Sequence, residues 1–209
     1  MTDRVNQIYL AVSDLFPDAH CELNYSNPLE LLISIMLSAQ TTDNAVNKVT
    51  VHLFGKYRTL EDYINAPVED VENVIRHLGL YKNKAKNIKL MALMMKETYH
   101  GVFPSKLEEL VLLPGVGRKT ANVFLAEYYH VPRIAVDTHV ERVSVRLGLA
   151  KATDSVLKIE EKLMKKFPKD LWIEMHHKLI FFGRYFCKAQ KPMCDKCPLV
   201  SICKTPFPN

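Results

Sequence analysis

The chain has 209 residues, 48% of them apolar and 24% charged, with 28 Lys and Arg against 23 Asp and Glu for a net charge of +5. That much apolar material excludes a disordered chain, and seven glycines without a repeat exclude a collagen-like one. The mild basicity permits a nucleic-acid partner and does not demand one.

The elements, in chain order, read as helices. Val5, Ile8, Tyr9, Val12, Leu15 and Phe16 recur at steps of three and four, the pattern of an amphipathic helix. Residues 29–39 are apolar on most faces, as in a buried helix, and Val46, Val49 and Leu53 continue the pattern. Thr59 with Asp62, and Ser105 with Glu108, are spaced as capping boxes. Tyr81, Ala85, Ile88, Ala92 and Met95 predict a helix over 81–98, and further helices are expected near 117–129, 138–147, 153–166 and 169–182. Only Ile134-Ala135-Val136 is ambiguous with a strand. The fold class predicted is all-α, with loops at Pro67, Pro104, Pro114, Pro132 and Pro168.

Met1-Thr2-Asp3-Arg4 does not open a secretion signal, and Leu29–Ala39 is too short to span a bilayer, so a cytoplasmic protein without a membrane partner is expected. Charge is uneven. Residues 61–72 carry five acids and no base, whereas Lys82, Lys84, Lys86 and Lys89 form a basic run; each run reads first as a solvated helix face.

Four of the five cysteines fall in the last 23 residues, spaced Cys187-x6-Cys194-x2-Cys197-x5-Cys203. A disulfide scaffold would scatter them, so the cluster points to a metal centre. Zinc held by four thiolates is the ordinary alternative. One short pair flanked by longer arms favours a [4Fe–4S] cubane, but spacing does not decide between the two. Cys21, far away, is expected to be a buried structural thiol.

The segment Leu113-Pro114-Gly115-Val116-Gly117-Arg118-Lys119-Thr120-Ala121 has helical pattern on both sides, with Pro114 expected to stop the first helix. Two closely spaced glycines allow a tight bend, and the amides opening the next helix suit a phosphate. The pattern is a helix-hairpin-helix, with a plain αα-turn as the ordinary alternative; G-x-x-x-x-G-K spacing is not met, which excludes a P-loop. Lys119 falls in the first turn of the second helix. The positive dipole end and neighbouring Arg118 disfavour its charged form there, and a neutral amine is a nucleophile. Asp137 precedes a helix and fits an N-cap, a role that does not exclude chemistry.

With these segments the chain resembles the endonuclease III family, the helix-hairpin-helix DNA glycosylases with abasic-site lyase activity. The likeness is carried by Leu37-Ser38-Ala39-Gln40-Thr41-Thr42-Asp43, by Leu113–Ala121 with Ile134-Ala135-Val136-Asp137-Thr138-His139, by Gly79-Leu80-Tyr81-x-x-Lys84-Ala85, and by the four-cysteine tail. It implies a six-helix barrel domain over 22–131, a cluster domain of 1–21 and 132–209, and duplex DNA bound in a cleft between the two lobes. It implies that Lys119 and Asp137 are catalytic, and that Cys187, Cys194, Cys197 and Cys203 hold a [4Fe–4S] cluster. Gln40 would fill the space left by an extruded base and Leu80 would wedge into the opposite strand. Gly115, Val116, Gly117 and Arg118 would meet phosphates, as would Lys188 and Lys191, with Lys196 nearby. The implied function is base excision repair by a monomeric, nucleoid-associated bacterial enzyme that removes oxidised pyrimidines from duplex DNA. Lysine would attack C1′, a Schiff base would form, and β-elimination would cut 3′ to the abasic site.

Three rivals remain at this point. A monofunctional adenine-mismatch glycosylase of the same superfamily has no lysine at position 119 and carries a glutamate where Ser34 stands. A thymine-mismatch relative is also disfavoured by Lys119. A non-catalytic helix-hairpin-helix protein with structural zinc leaves Lys119 and Asp137 together unexplained. Of the eight histidines, His139 reads as a helix-start packing or hydrogen-bonding residue. His176 and His177 lie in a helix from which one could face DNA or solvent, and neither is assigned chemistry.

Overall fold

The computed structural model describes residues 1–205. Among these are eleven α-helices and no strand, so the all-α expectation holds. The chain divides into two compact units, one of Met1–Cys21 with the chain from His130 onward, the other of Glu22–Tyr129.

The continuous unit contains α2 (Pro28–Leu37), α3 (Asp43–Lys56), α4 (Leu60–Asn65), α5 (Val68–Ile75), α6 (Tyr81–Glu97), α7 (Leu107–Leu110) and α8 (Arg118–Tyr129). Asn27 starts α2 by accepting the Glu30 amide at 3.0 Å, with Pro28 at the first helical position. Every residue of α2 from Leu29 to Leu37 except Glu30 is buried, which an apolar perimeter requires. Helices α3, α6 and α8 pack on it, and α4 and α5 pack on α6. The Thr59–Asp62 capping box forms: Asp62 accepts the Thr59 amide at 2.9 Å and returns its own amide to the Thr59 hydroxyl at 3.2 Å. The Ser105–Glu108 box does not form. Helix α7 starts at Leu107, so Lys106 occupies the cap position, and it has no side-chain oxygen to offer.

The other unit joins α1 (Asp3–Leu15) to α9 (Thr138–Arg146), α10 (Val156–Lys166) and α11 (Trp172–Phe181). Val5, Ile8 and Val12 of α1 share one core with Val140, Val143, Leu163, Met175, Leu179 and Phe182. A 3₁₀ turn over Lys169–Leu171 precedes α11, so the helix expected from 169 begins three residues later. Ile134, Ala135 and Val136 are buried but form no strand; they lead directly to the cap of α9. His176 and His177 are both buried, at 2% and 8% exposure, so neither faces solvent. Cys21 is only half-buried, because it lies in the irregular chain after α1 rather than on a packed helix face.

Candidate active site

The hairpin is built from α7, a short turn and α8. Helix α7 ends at Leu110, earlier than Pro114 demands: the Leu112 and Leu113 amides already reach back three residues, to Glu109 and Leu110. Val116 closes the turn by donating its amide to the Leu113 carbonyl at 3.0 Å, and its side chain is 4% exposed. Val116 therefore braces the bend from inside, with its amide and side chain taken up there rather than offered to a phosphate as the resemblance implied.

The two hairpin glycines differ. Gly115 has φ +79°, and a Cβ there would stand 2.8 Å from Asn87 Cβ and 2.9 Å from Met36 Cε. Gly117 has neither constraint: its φ is not left-handed and nothing lies within 4 Å of a Cβ. The fold thus needs the first glycine, while the second leaves open space at the head of α8. Gly117, Arg118 and Lys119 are all exposed there.

Two tips in the same unit have left-handed backbones without being glycine: Gln40 at φ 55° and Leu80 at φ 60°. Such a conformation costs a non-glycine residue roughly 1–2 kcal/mol. Leu80 is also 54% exposed, so it is no core residue, and it sits at the N-cap of α6 without a side chain able to cap. Strain and exposed apolar surface together mark a position held for something other than packing. A Cβ on Gly79 would lie 3.7 Å from the Gln40 carbonyl oxygen, so the two tips are neighbours.

Lys84 corrects the picture of a solvated basic run. It is 6% exposed, and its Nζ donates to the Leu37 carbonyl at 2.9 Å and to Thr41 Oγ1 at 3.0 Å. Burial pulls its ammonium below the usual lysine range. Sequence alone offered one sign of this, the position of Lys84 directly before the apolar Ala85 and Ile88 stripe. The acidic and basic runs also meet: Glu69, Glu72, Lys82, Lys86 and Lys89 line one groove, and Lys89 donates to the Ala66 carbonyl at 2.6 Å.

In the discontinuous unit Asp137 caps α9. Its Oδ1 accepts the His139 amide at 2.9 Å and the Val140 amide at 2.8 Å. The side chain is half-buried, and because both amides go to Oδ1 its second oxygen is not needed for the cap. His139 packs at the helix start, its Nδ1 3.3 Å from an Arg142 nitrogen, as expected.

The chain leaves α11 through a π-helical stretch, Phe182–Phe186, that delivers Cys187; the Cys187 amide bonds the Phe182 carbonyl at 2.6 Å. Cys187, Cys194, Cys197 and Cys203 all line one cavity of about 250 Å³. Burial foremost, with the neighbouring thiols, pushes the Cys194 and Cys197 thiols up from their ordinary range. Among the described residues no three His, Cys, Asp or Glu side chains are placed to hold one metal ion; the four cysteines line the cavity together. Sequence reasoning missed the two arginines that frame it. Arg142 donates to the Gly183 carbonyl at 2.6 Å and to the Cys187 carbonyl. Arg146 donates to the Lys188 carbonyl at 2.7 Å and to Cys187 Sγ at 3.4 Å. Their positions on α9, at 142 and 146, are one turn apart, but nothing local ties them to a loop more than 40 residues away. Lys188 and Lys191 are exposed on that loop, and Lys191 has φ 49°.

No helix among the described residues is long and apolar enough to cross a membrane. Residues 33–169 match the model of the HhH-GPD superfamily base excision DNA repair proteins. The chain is 55% identical to endonuclease III of Bacillus subtilis over 92% of its length and 88% of that protein's. It is 43% identical to endonuclease III of Escherichia coli K12 over 90% of its length and 89% of that protein's. A solved structure of a trapped endonuclease III–DNA covalent intermediate superposes with a TM-score of 0.93 at 54% identity, covering 98% of this chain and 97% of that one. A thermostable thymine-DNA glycosylase shares the fold, with a TM-score of 0.86 at 22% identity over 96% of this chain and 95% of its own. The chain therefore belongs to the HhH-GPD superfamily of base excision DNA repair proteins and, within it, to the endonuclease III family.

Proposed function

We propose that Lys119 and Asp137 carry out the DNA glycosylase and abasic-site lyase chemistry of the endonuclease III family in this chain, on duplex DNA holding an oxidised pyrimidine. The observation that carries the assignment is Lys119 itself: an exposed amine in the first turn of α8, behind a bend whose first glycine cannot be replaced without strain. The free amine attacks C1′ and forms a C–N bond as the glycosidic bond breaks. The base departs with the bonding pair and takes up a proton. Asp137, whose Oδ1 holds α9, has its other oxygen to receive the lysine proton and to stabilise positive charge on the sugar. Ring opening gives a protonated Schiff base. Loss of a C2′ proton then expels the 3′ phosphate, and water releases the lysine.

Gln40 and Leu80 enter the duplex in this reading, Gln40 into the vacated space and Leu80 into the opposite strand. Gly115, Gly117 and Arg118 meet phosphate at the head of α8. Lys188 and Lys191 meet it on the cysteine loop. Cys187, Cys194, Cys197 and Cys203 would hold a [4Fe–4S] cluster, which supplies positive charge among the thiolates and cross-links the loop. The cysteine spacing, one short pair between longer arms, supports that group over zinc. The enzyme acts as a monomer in the bacterial cytoplasm at the nucleoid.

The thymine-mismatch reading shares this fold, so the nucleophile decides between them. Borohydride should trap a covalent adduct between the protein and an abasic-site duplex, and Lys119→Gln should abolish it. Trapping that persists in the variant overturns the assignment. Iron and acid-labile sulfide analysis with a visible spectrum tests the cluster: a colourless, zinc-loaded protein defeats it, as would retention of colour after all four cysteines are replaced.

A further inference from the structure

Lys84 has a role in neither the hairpin nor the cysteine loop, yet it is a buried cation, and burying one is costly unless its contacts repay it. Its two acceptors are not scattered. Leu37 is the last residue of α2 and Thr41 is the residue after Gln40, so one ammonium spans the whole Ser38-Ala39-Gln40 turn from base to base. The Leu37 carbonyl is also at the negative end of the α2 dipole, where a cation is favoured. On its own helix, Lys84 stands in the first turn after Leu80, and its backbone amide bonds the Leu80 carbonyl at 3.0 Å. Both tips are in left-handed conformations that require outside support.

We infer that Lys84 is a positioning residue for base extrusion: it clamps the Gln40 turn to the start of α6 so that Gln40 and Leu80 enter the duplex as one rigid element. The inference rests on the proposed roles of those two residues. Thr41 is the second half of the clamp, since its hydroxyl both receives the Lys84 ammonium and donates to the Ala39 carbonyl at 3.3 Å. Removing the ammonium frees the two tips from each other without touching the nucleophile. The penalty then falls on opening a stacked duplex, and a strand already unstacked escapes it.

The test uses full-length protein and an abasic-site oligonucleotide, once as a duplex with 2-aminopurine opposite the site and once as a single strand. Wild type should raise 2-aminopurine fluorescence on binding, as the opposite base loses its stacking, and should be trapped by borohydride on both substrates. Lys84→Met should blunt the fluorescence rise and slow duplex trapping by about tenfold, on the scale of a charged hydrogen bond, with single-strand trapping at the wild-type rate. Thr41→Val should move both readouts the same way by less, and Lys84→Arg, which keeps a donor, should restore part of the loss. Should Lys84→Met fail to fold, Thr41→Val and Lys84→Arg decide the matter alone. Equal slowing on duplex and single strand would mean general destabilisation and overturn the proposal, as would unchanged fluorescence in all three variants. A wild type that is trapped but gives no fluorescence rise removes the reading of Gln40 and Leu80, and the clamp with it.

Discussion

Gly183 is pressed against His139: a Cβ at 183 would stand 2.9 Å from His139 Cβ, 3.1 Å from its carbonyl oxygen and 3.1 Å from Val143 Cγ2. This contact seats the π-helical stretch on α9 and so sets where Cys187 emerges. Gly183→Ala must push the two apart, with a cost of about 1–3 kcal/mol for overpacking. Thermal denaturation should show the loss. The visible absorbance of the proposed cluster should fall with it, because the same displacement moves the Arg142 and Arg146 contacts to Cys187. A variant with wild-type melting would show that the two elements part freely.

The hairpin glycines should separate on substitution. Gly115→Ala combines a left-handed backbone with a clash against Asn87 and should cost about 2–4 kcal/mol. Gly117→Ala meets no atom and should leave stability unchanged or raise it by a few tenths, by about 0.4–1 kcal/mol at most. Its effect should be read in DNA affinity instead, which weakens as a methyl group fills the space offered to phosphate. Calorimetry and a binding titration at fixed salt check the pair; equal melting losses would contradict the division of labour.

Asp137 has a structural task that can be kept while its proposed chemistry is removed. Asn caps a helix about as well as Asp, so Asp137→Asn should hold the α9 amides and melt near wild type. Base excision should slow by about 10²-fold or more with DNA binding retained. Asp137→Ala should add about 1 kcal/mol of destabilisation from the lost cap. Normal single-turnover excision by Asp137→Asn would remove the carboxylate from the mechanism.

Acid should weaken the discontinuous unit partly through Asp154. Its carboxylate accepts Lys162 at 2.5 Å and the Lys151 amide at 2.6 Å, and these contacts, Lys162 first, hold it below the ordinary 3.8. A depressed folded-state value means the stabilisation is present above pH 3.8 and is lost as pH falls through the lower, folded value. Asp154→Asn should therefore flatten that part of the stability curve measured by urea denaturation. Identical slopes for both proteins below pH 4 would contradict it.

The helical framework was legible because most of its signals are local. The apolar spacing of α1 and α6, the Thr59–Asp62 box and the all-round apolarity of α2 each declare themselves within a few residues. Of the candidate site, the hairpin, the Asp137 cap and the cysteine spacing were readable for the same reason. Ser105–Glu108 had the right letters, but α7 started at Leu107, with Leu107 and Leu110 turned into the core, and left Ser105 outside the cap. Lys84 gave only one weak sign, its place before the Ala85 and Ile88 stripe, and the arginines of α9 gave none. Their partners lie 43 to 47 residues away for Lys84 and 41 to 45 for the arginine contacts to Gly183, Cys187 and Ala189, and composition favours the solvent for both residue types. Nothing in the residues themselves marks Leu80 as exposed; its left-handed backbone and its exposure set it apart only in the structure.

The core shared by α1 with α11 has a consequence for biosynthesis. Val5, Ile8 and Val12 are made early, but Met175, Leu179 and Phe182, which cover them, come more than 160 residues later. The continuous unit can collapse in the interval, as domains do when they emerge in sequence. Until α9 and then α11 are made, the apolar stripe of α1 lacks the residues that cover it. A chain stalled or truncated before α9 and α11 therefore displays a sticky amphipathic helix, a handle for chaperones and a seed for aggregation.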